Sequence, residues 1–276
     1  MIGRFFKTIA SVAALGIGLA AAGCDNINVS VGDGDSIPLS ELDMSGAAPT
    51  KLVLASRDRV VLNEGSKLAI KVSGDPDAIA ALRFNLGEDS LGIMREKGSK
   101  AEGKALVSVT MPAPREIVLA GSGEVDAPVL AEKAKVNMAG SGTVRVAKVA
   151  AASLAVNVMG SGKLEAAGAA EKLDFNVAGS GQLAARKLKV ERAEINIAGS
   201  GGGEFASDGK VTANVAGSGE VTVHGRARCR ISALGSGKLH CKYASGDWGE
   251  DEAPKDPKAP LAPPAPKAPD APDAGN

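Results

Sequence analysis

The stretch "VMGSGKL", residues 158–164, sets a glycine-rich loop in front of a lysine, the arrangement with which phosphate-binding loops wrap a nucleotide. That loop follows G-x-x-x-x-G-K-[ST], its backbone amides holding the phosphates and its hydroxyl the magnesium ion. Here Asn157 stands where the first glycine belongs, and Leu164 where the Ser or Thr belongs. A second copy, "LGSGKLH" at residues 234–240, fails in the same way, with Ser232 and Leu239 at those places. The stretch is therefore read as something other than a nucleotide site, and its informative property is that it recurs.

Gly-Ser-Gly begins at Gly121, Gly140, Gly160, Gly179, Gly199, Gly217 and Gly235, with spacings of 19, 20, 19, 20, 18 and 18 residues. A fixed period of this length marks a stacked repeat. Two residues before the first glycine stand Leu119, Met138, Val158, Val177, Ile197, Val215 and Ala233, and four before it Ile117, Val136, Val156, Phe175, Ile195, Ala213 and Ile231. Five before it stand Glu116, Lys135, Ala155, Asp174, Glu194, Thr212 and Arg230, nearly all polar. An alternation of period two is the signature of a strand with one buried face. After the turn it resumes, with Val125, Val144, Leu164, Leu183, Val221 and Leu239 facing in and Glu124, Thr143, Lys163, Gln182, Glu220 and Lys238 facing out. Lys163 is thus an outward strand residue, and Gly-Ser-Gly a corner where a side chain would obstruct close stacking. The fifth copy, "GSGGGEF", places Phe205 where the inward residue should resume, which predicts a bulge or loop there.

Short strands joined by corners at a constant rung of 18–20 residues predict an all-β protein, a right-handed parallel β-helix or β-solenoid in which each coil pairs with its neighbours. A propeller blade needs about twice this period, and antiparallel sandwiches do not keep one corner tripeptide in register. One column is not explained by burial. Three residues before the glycine stand Asn137, Asn157, Asn176, Asn196 and Asn214, flanked by Val118 and Ser232. In stacked parallel strands identical amides hydrogen-bond from rung to rung, so the column is either a structural ladder or a polar face for a ligand.

These serial "V-N-V-A-G-S-G-x-V" copies, following "LVLASRDRVVLNEGSKLAIKVSGD", "LRFNLGEDSLGIMREK" and "ALVSVTMPAP", resemble the bacterial head GIN domain family of auto-transporter adhesins over about residues 45–245. The resemblance implies a β-helical envelope protein, often lipid-anchored. The family's adhesin label establishes no ligand, and it offers no catalytic residues to carry over.

The two ends read differently from the repeat. Residues 1–23 form a signal peptide, with Arg4 and Lys7 ahead of an apolar run too short to span a bilayer. "LAAAGC" resembles a lipoprotein signal that would make Cys24 the lipidated N-terminus, although Ala21 stands where such signals usually have Leu; the alternative is cleavage after Ala22 and a secreted protein. Residues 24–49 are expected to tether the anchor to a folded domain at 50–246, and residues 247–276, rich in Pro and Ala, to form a disordered, solvated tail. The expected location is the cell envelope, as a periplasmic or surface lipoprotein whose membrane contact runs through Cys24.

Composition excludes other classes. Without Arg4 and Lys7 the chain carries 30 basic and 32 acidic residues, and no basic cluster interleaved with aromatics points to nucleic acid. Few rings remain for sugar stacking, since Phe175 sits in an inward column and Phe205 is placed inward, leaving Phe84, Tyr243 and Trp248. β-Helices also carry polysaccharide-cleaving enzymes, whose sites need acids at fixed separation. The outward column five residues past the glycine (Asp126, Arg145, Glu165, Ala184, Thr222, His240) holds no adjacent pair of acids, and Asp174 and Glu194 read equally as solvated rung ends. No catalytic residue or cofactor is assigned. The expected role is structural or adhesive, with an envelope polysaccharide or protein as partner and a polysaccharide-active enzyme as the alternative.

His224, Cys229, His240 and Cys241 lack zinc spacing, and His240 and Cys241 point to opposite faces; no metal site is assigned. Cys229 and Cys241 lie six residues either side of Gly235, at even offsets that turn both thiols inward in the last rung. Export permits a disulfide. The alternative is a pair of free buried thiols, should the walls of the coil stand more than about 7 Å apart.

Overall fold

The computed structural model describes residues 36–244. The corner period dominates its architecture. Strands β1 (Lys51–Ala55), β2 (Arg59–Glu64), β3 (Ala69–Gly74), β4 (Leu82–Leu86), β5 (Ser90–Arg95), β6 (Ala105–Met111), β7 (Glu116–Gly121), β8 (Glu124–Val129) and β9 (Lys133–Gly140) are short. The strands β10 (Thr143–Gly160), β11 (Lys163–Gly179), β12 (Gln182–Gly199), β13 (Gly202–Gly217) and β14 (Glu220–Gly235) then each run from one corner to the next, and β15 (Lys238–Ala244) closes the described chain. From β9 onward every pairing is parallel and joins one rung to the next, and Gly140, Gly160, Gly179, Gly199 and Gly217 stack in register. The fold is a β-solenoid of about seven turns.

The inward columns are buried up to the last copy, where Ile231 is 39% exposed, Ala233 exposed and Leu239 half-buried. Ile117, Val136, Val156, Phe175, Ile195 and Ala213 are fully enclosed, as are Val125, Val144, Leu164 and Val221 past the corner. One coil cannot bury such a row alone, whereas stacked coils cover each other's inward side chains. Burial of a Val, Leu or Ile stabilises by about 1.5–3 kcal/mol, so the columns are the main source of stability.

The corner requires glycine for two reasons. Gly217 has φ of +125°, a backbone region that L side chains rarely adopt. A Cβ there would also stand 2.4 Å from the carbonyl oxygen of Gly199. The same carbonyl accepts the N–H of Ser218 at 2.9 Å, and this bond draws successive corners together.

The expected bulge at the fifth corner is not found there. Gly202, Gly203, Glu204 and Phe205 pair one for one with Gln182, Leu183, Ala184 and Ala185. Gly203 instead leaves its inward place empty of side chain, and a Cβ on it would meet the Phe175 ring at 3.3 Å. A large residue on one rung thus fills the volume that glycine vacates on another. The shorter rung is accommodated further on, where pairing jumps between Ala185 and Lys189 and again between Val190 and Arg192.

The N-terminal end is built without the repeat. β1 pairs in parallel with both β5 and β7, and β2 with both β6 and β8, while β3 pairs antiparallel with β6 and β4 with β5. Between β3 and β4 lies the helix α1 (Pro76–Ala81). Asp75 caps it, accepting the N–H of Ala78 at 2.8 Å, and Pro76 opens it where no N–H is needed. Part of the segment expected to be tether belongs to this end. Ile37 bridges to Phe84 through two backbone hydrogen bonds, and Leu39, Leu42, Met44 and Ala48 pack against the core.

Candidate functional site

Outward side chains along each strand stack into columns one strand spacing apart, about 4.8 Å. The asparagine column is a continuous hydrogen-bonded ladder. Asn157 donates to Asn137, Asn176 to Asn157, Asn196 to Asn176 and Asn214 to Asn196, each at 2.9 Å. At its head Asn137 donates to Glu116 at 2.8 Å, and Glu116 in turn meets Lys51 at 3.4 Å. Asn137 is buried, Asn157, Asn176 and Asn196 half-buried and Asn214 exposed. Each internal amide spends one N–H and one lone pair on the ladder and keeps one of each. The column can therefore hold the rungs in register and still present repeating donors and acceptors.

Past the corner the outward columns carry alternating charge. Arg145 reaches Glu124 at 2.9 Å, Asp126 at 3.3 Å and Glu165 at 3.4 Å. Arg59 meets Asp126 at 2.7 Å, and Lys163 meets Glu165 at 2.6 Å. The row borders a groove floored by Ala127, Ala147 and Ala167. The hydrogen bond from Arg145 holds the Glu124 carboxyl below its ordinary range, and that from Lys163 does the same for Glu165. A general acid in glycoside cleavage needs the opposite, a raised carboxyl pKa. Asp174 and Glu194 are register partners on adjacent rungs. Asp174 is held by Lys172 at 3.0 Å and Glu194 lies exposed.

The histidines are engaged with carboxylates of the preceding rung: His224 lies 2.6 Å from Glu204, and His240 2.9 Å from Glu220. Among the described residues no group of three or more His, Cys, Asp or Glu is placed to hold a metal ion. Cys229 and Cys241 are drawn as a disulfide with Cα atoms 6.4 Å apart, within the separation of about 4.4–6.8 Å that a bridge spans. Cys24 and the expected signal peptide and tail lie outside the described residues. No helix among the described residues is long and apolar enough to cross a membrane.

Sequence reasoning missed a buried ion pair at the N-terminal end. Asp58 is fully buried and takes two hydrogen bonds from Arg95, at 2.9 and 2.6 Å, and one from the Ala105 N–H at 2.8 Å. Arg95 also donates to the carbonyls of Ala101 and Gly103 at 2.6 Å. Charges embedded in the apolar runs "LVLASRDRVV" and "GIMREK" were the available signal, but nothing in the spacing joins them.

A parallel solenoid with a filled interior and columnar outer faces defines a repeat-built scaffold, which offers extended surfaces rather than one enclosed pocket. The sequence matches the family described as "Putative auto-transporter adhesin, head GIN domain" over residues 48–227, and the chain belongs to that family. A solved adhesin-like structure from Bacteroides fragilis NCTC 9343 shares the fold with a TM-score of 0.63 at 19% identity, over 71% of this chain and 93% of that one. A structure described as "Putative lipid binding protein", from Parabacteroides distasonis ATCC 8503, gives 0.54 at 22% identity, over 71% and 93%. Another adhesin-like structure, from Parabacteroides merdae ATCC 43184, gives 0.52 at 17% identity, over 70% and 91%. No curated protein matches the chain.

Proposed function

We propose that this chain is an envelope-displayed binding module that works without catalysis and is held to a membrane through lipidated Cys24. The observation that carries the reading is the asparagine ladder, which repeats the same amide at one-strand intervals from Asn137 to Asn214. A regular array of amides suits a partner that is itself regular, such as an envelope polysaccharide, or an extended protein segment. The family's adhesin description and the adhesin-like fold relatives favour binding over turnover.

Two experiments test it. Radiolabelled palmitate should enter the wild-type chain and not Cys24→Ala; equal labelling removes the anchor from the proposal. The purified protein should be retained on isolated envelope polysaccharide or envelope protein without releasing products. Reducing ends or unsaturated sugars that vanish in Glu165→Gln or Glu194→Gln would replace the binding role with an enzyme.

A further inference from the structure

The sheet face that carries the asparagine ladder is unevenly charged. Four residues before the ladder on each strand, Lys133, Ser153, Lys172, Arg192 and Lys210 follow one another in register on successive rungs. Arg228 comes next and is already engaged. Lys172, Arg192 and Lys210 thus set like charges directly opposite one another, about one strand spacing of 4.8 Å apart, an arrangement that weakens a sheet. Lys172 is relieved by Asp174 at 3.0 Å. Arg192 and Lys210 are exposed and form no ion pair among the described residues. The cations past the corner are placed otherwise, since Arg59, Arg145 and Lys163 each meet a carboxylate. From the Lys133 rung to the Lys210 rung this face bears five basic side chains, Lys135 being the fifth, and two acidic ones, Asp174 and Glu194. The acids next to the column in sequence, Glu132, Glu171 and Glu191, line a separate groove with Ala150, Ala152 and Ala169. Charge is therefore sorted by face in a chain whose formal net charge is +0.

We propose that this face docks an acidic polysaccharide, a polymer with carboxylates on its sugars, running along the solenoid axis between the basic column and the asparagine ladder. The inference rests on the reading of the ladder as a binding surface and adds the charge of its partner. The two columns stand about 13 Å apart, four residues along each strand, a gap into which Lys and Arg side chains can reach. Lys133, Arg192 and Lys210 then meet carboxylates in charge-assisted hydrogen bonds. Asn157, Asn176 and Asn196 offer the N–H and the lone pair that the ladder leaves over.

Two observations favour a sugar polymer over other polyanions. A row of phosphates, on a membrane or a nucleic-acid backbone, offers acceptors alone and leaves the ladder's lone pairs unmatched, whereas a sugar hydroxyl both donates and accepts. Single-stranded nucleic acid is also gripped by stacking on aromatic side chains, and Phe84, Phe175 and Phe205 are all buried. A carboxylated polymer repeats its charge as the column does, so every further rung that engages adds to the binding.

Polygalacturonate is the probe, because methyl esterification removes its charge and keeps its hydroxyls. The full chain should be retained on polygalacturonate several-fold more strongly than on the methyl ester, and added salt should erase the difference. Arg192→Gln combined with Lys210→Gln should lose that preference and melt no lower than the wild type, since the change relieves like charges. Glu194 is exposed and unpaired among the described residues, where it opposes the polymer, so Glu194→Gln should bind more tightly. Lys187→Gln, which removes an exposed cation from another face, should leave retention unchanged. No retention on polygalacturonate, or equal retention of polymer and ester, would overturn the proposal. An equal loss in Lys187→Gln would do the same, as would stronger capture by anionic vesicles or single-stranded DNA. Retention on isolated envelope polysaccharide without a preference for polygalacturonate over its ester would keep the binding role and remove only the acidic partner.

Discussion

Asp58 and Arg95, 37 residues apart in the chain, meet through paired hydrogen bonds at a place where the Asp58 carboxylate has no exposure at all. Burial pushes the Asp58 carboxyl up, but the Arg95 hydrogen bonds, the Ala105 N–H and the Arg95 charge together outweigh it and hold the group below its ordinary value. Breaking a buried pair by removing one partner costs about 3–5 kcal/mol, because the other charge is left uncompensated. Asp58→Asn should lose about that much in urea unfolding. Replacing both partners with apolar residues should lose less than the sum of the single changes.

The same pair sets a pH dependence. A carboxyl whose folded pKa is depressed stabilises the fold above its unfolded pKa, about 3.9, and that contribution fades as pH falls through the lower folded value. Thermal melts of the wild type and Asp58→Asn should therefore differ most at pH 5 and above, and the gap should narrow progressively as pH falls below about 4. A gap that stays constant down to pH 2 would separate Asp58 from the acid response.

In the ladder, Asn176 donates to Asn157 and accepts from Asn196. Asn176→Val removes both bonds without touching the inward row. With a net worth of about 0.5–1.5 kcal/mol for each neutral hydrogen bond, the loss should be about 1–2 kcal/mol, with the circular dichroism of the folded state unchanged. Asn176→Asp keeps the acceptor and loses the donor, so it should fall in between. An unchanged melting temperature in Asn176→Val would give the column to a ligand instead of the fold.

At the corner, neighbouring residues should respond very differently. Gly217→Ala forces a Cβ into positive φ and to within 2.4 Å of the Gly199 carbonyl, where strain of about 1–3 kcal/mol is expected. The Ser218 side chain is exposed, and Ser218→Ala should stay within about 0.5 kcal/mol of the wild type. Equal losses in denaturant melts would mean that the serine, and not the glycine, holds the corner.

The contrast between Gly217 and Asp58 also shows what could be read in the chain beforehand. Corners, inward columns and the asparagine row were legible because stacking repeats one set of contacts, and repeated contacts leave a repeated sequence. The N-terminal end carries no such record. The antiparallel pairing of β3 with β6 and the meeting of Asp58 with Arg95 each occur once, between segments whose spacing says nothing of their partners. The fifth copy, expected to bulge, was misread for a related reason. Its rung alone looks short of an inward side chain, and only the neighbouring Phe175 explains how the space is filled.

Cys229 and Cys241 stand on successive passes of the last coil, Cys229 buried and Cys241 half-buried, with a sequence separation of 12 residues. Closing a loop of that size is worth about 2–3 kcal/mol where the geometry is relaxed. The link matters most at this position because, among the described residues, no complete coil lies beyond it to hold β15 in place. Thiol titration of the denatured, unreduced chain should find no free thiol when Cys24 is lipidated and one when it is not. Two further thiols would reject the bridge. Reduction, or the double change to Ala, should then quicken amide exchange across residues 230–241 while β10, β11 and β12 keep their protection, because the link braces only the last coil. A loss spread evenly over all the rungs would mean that the bridge acts on the whole solenoid through the unfolded chain rather than locally on its end.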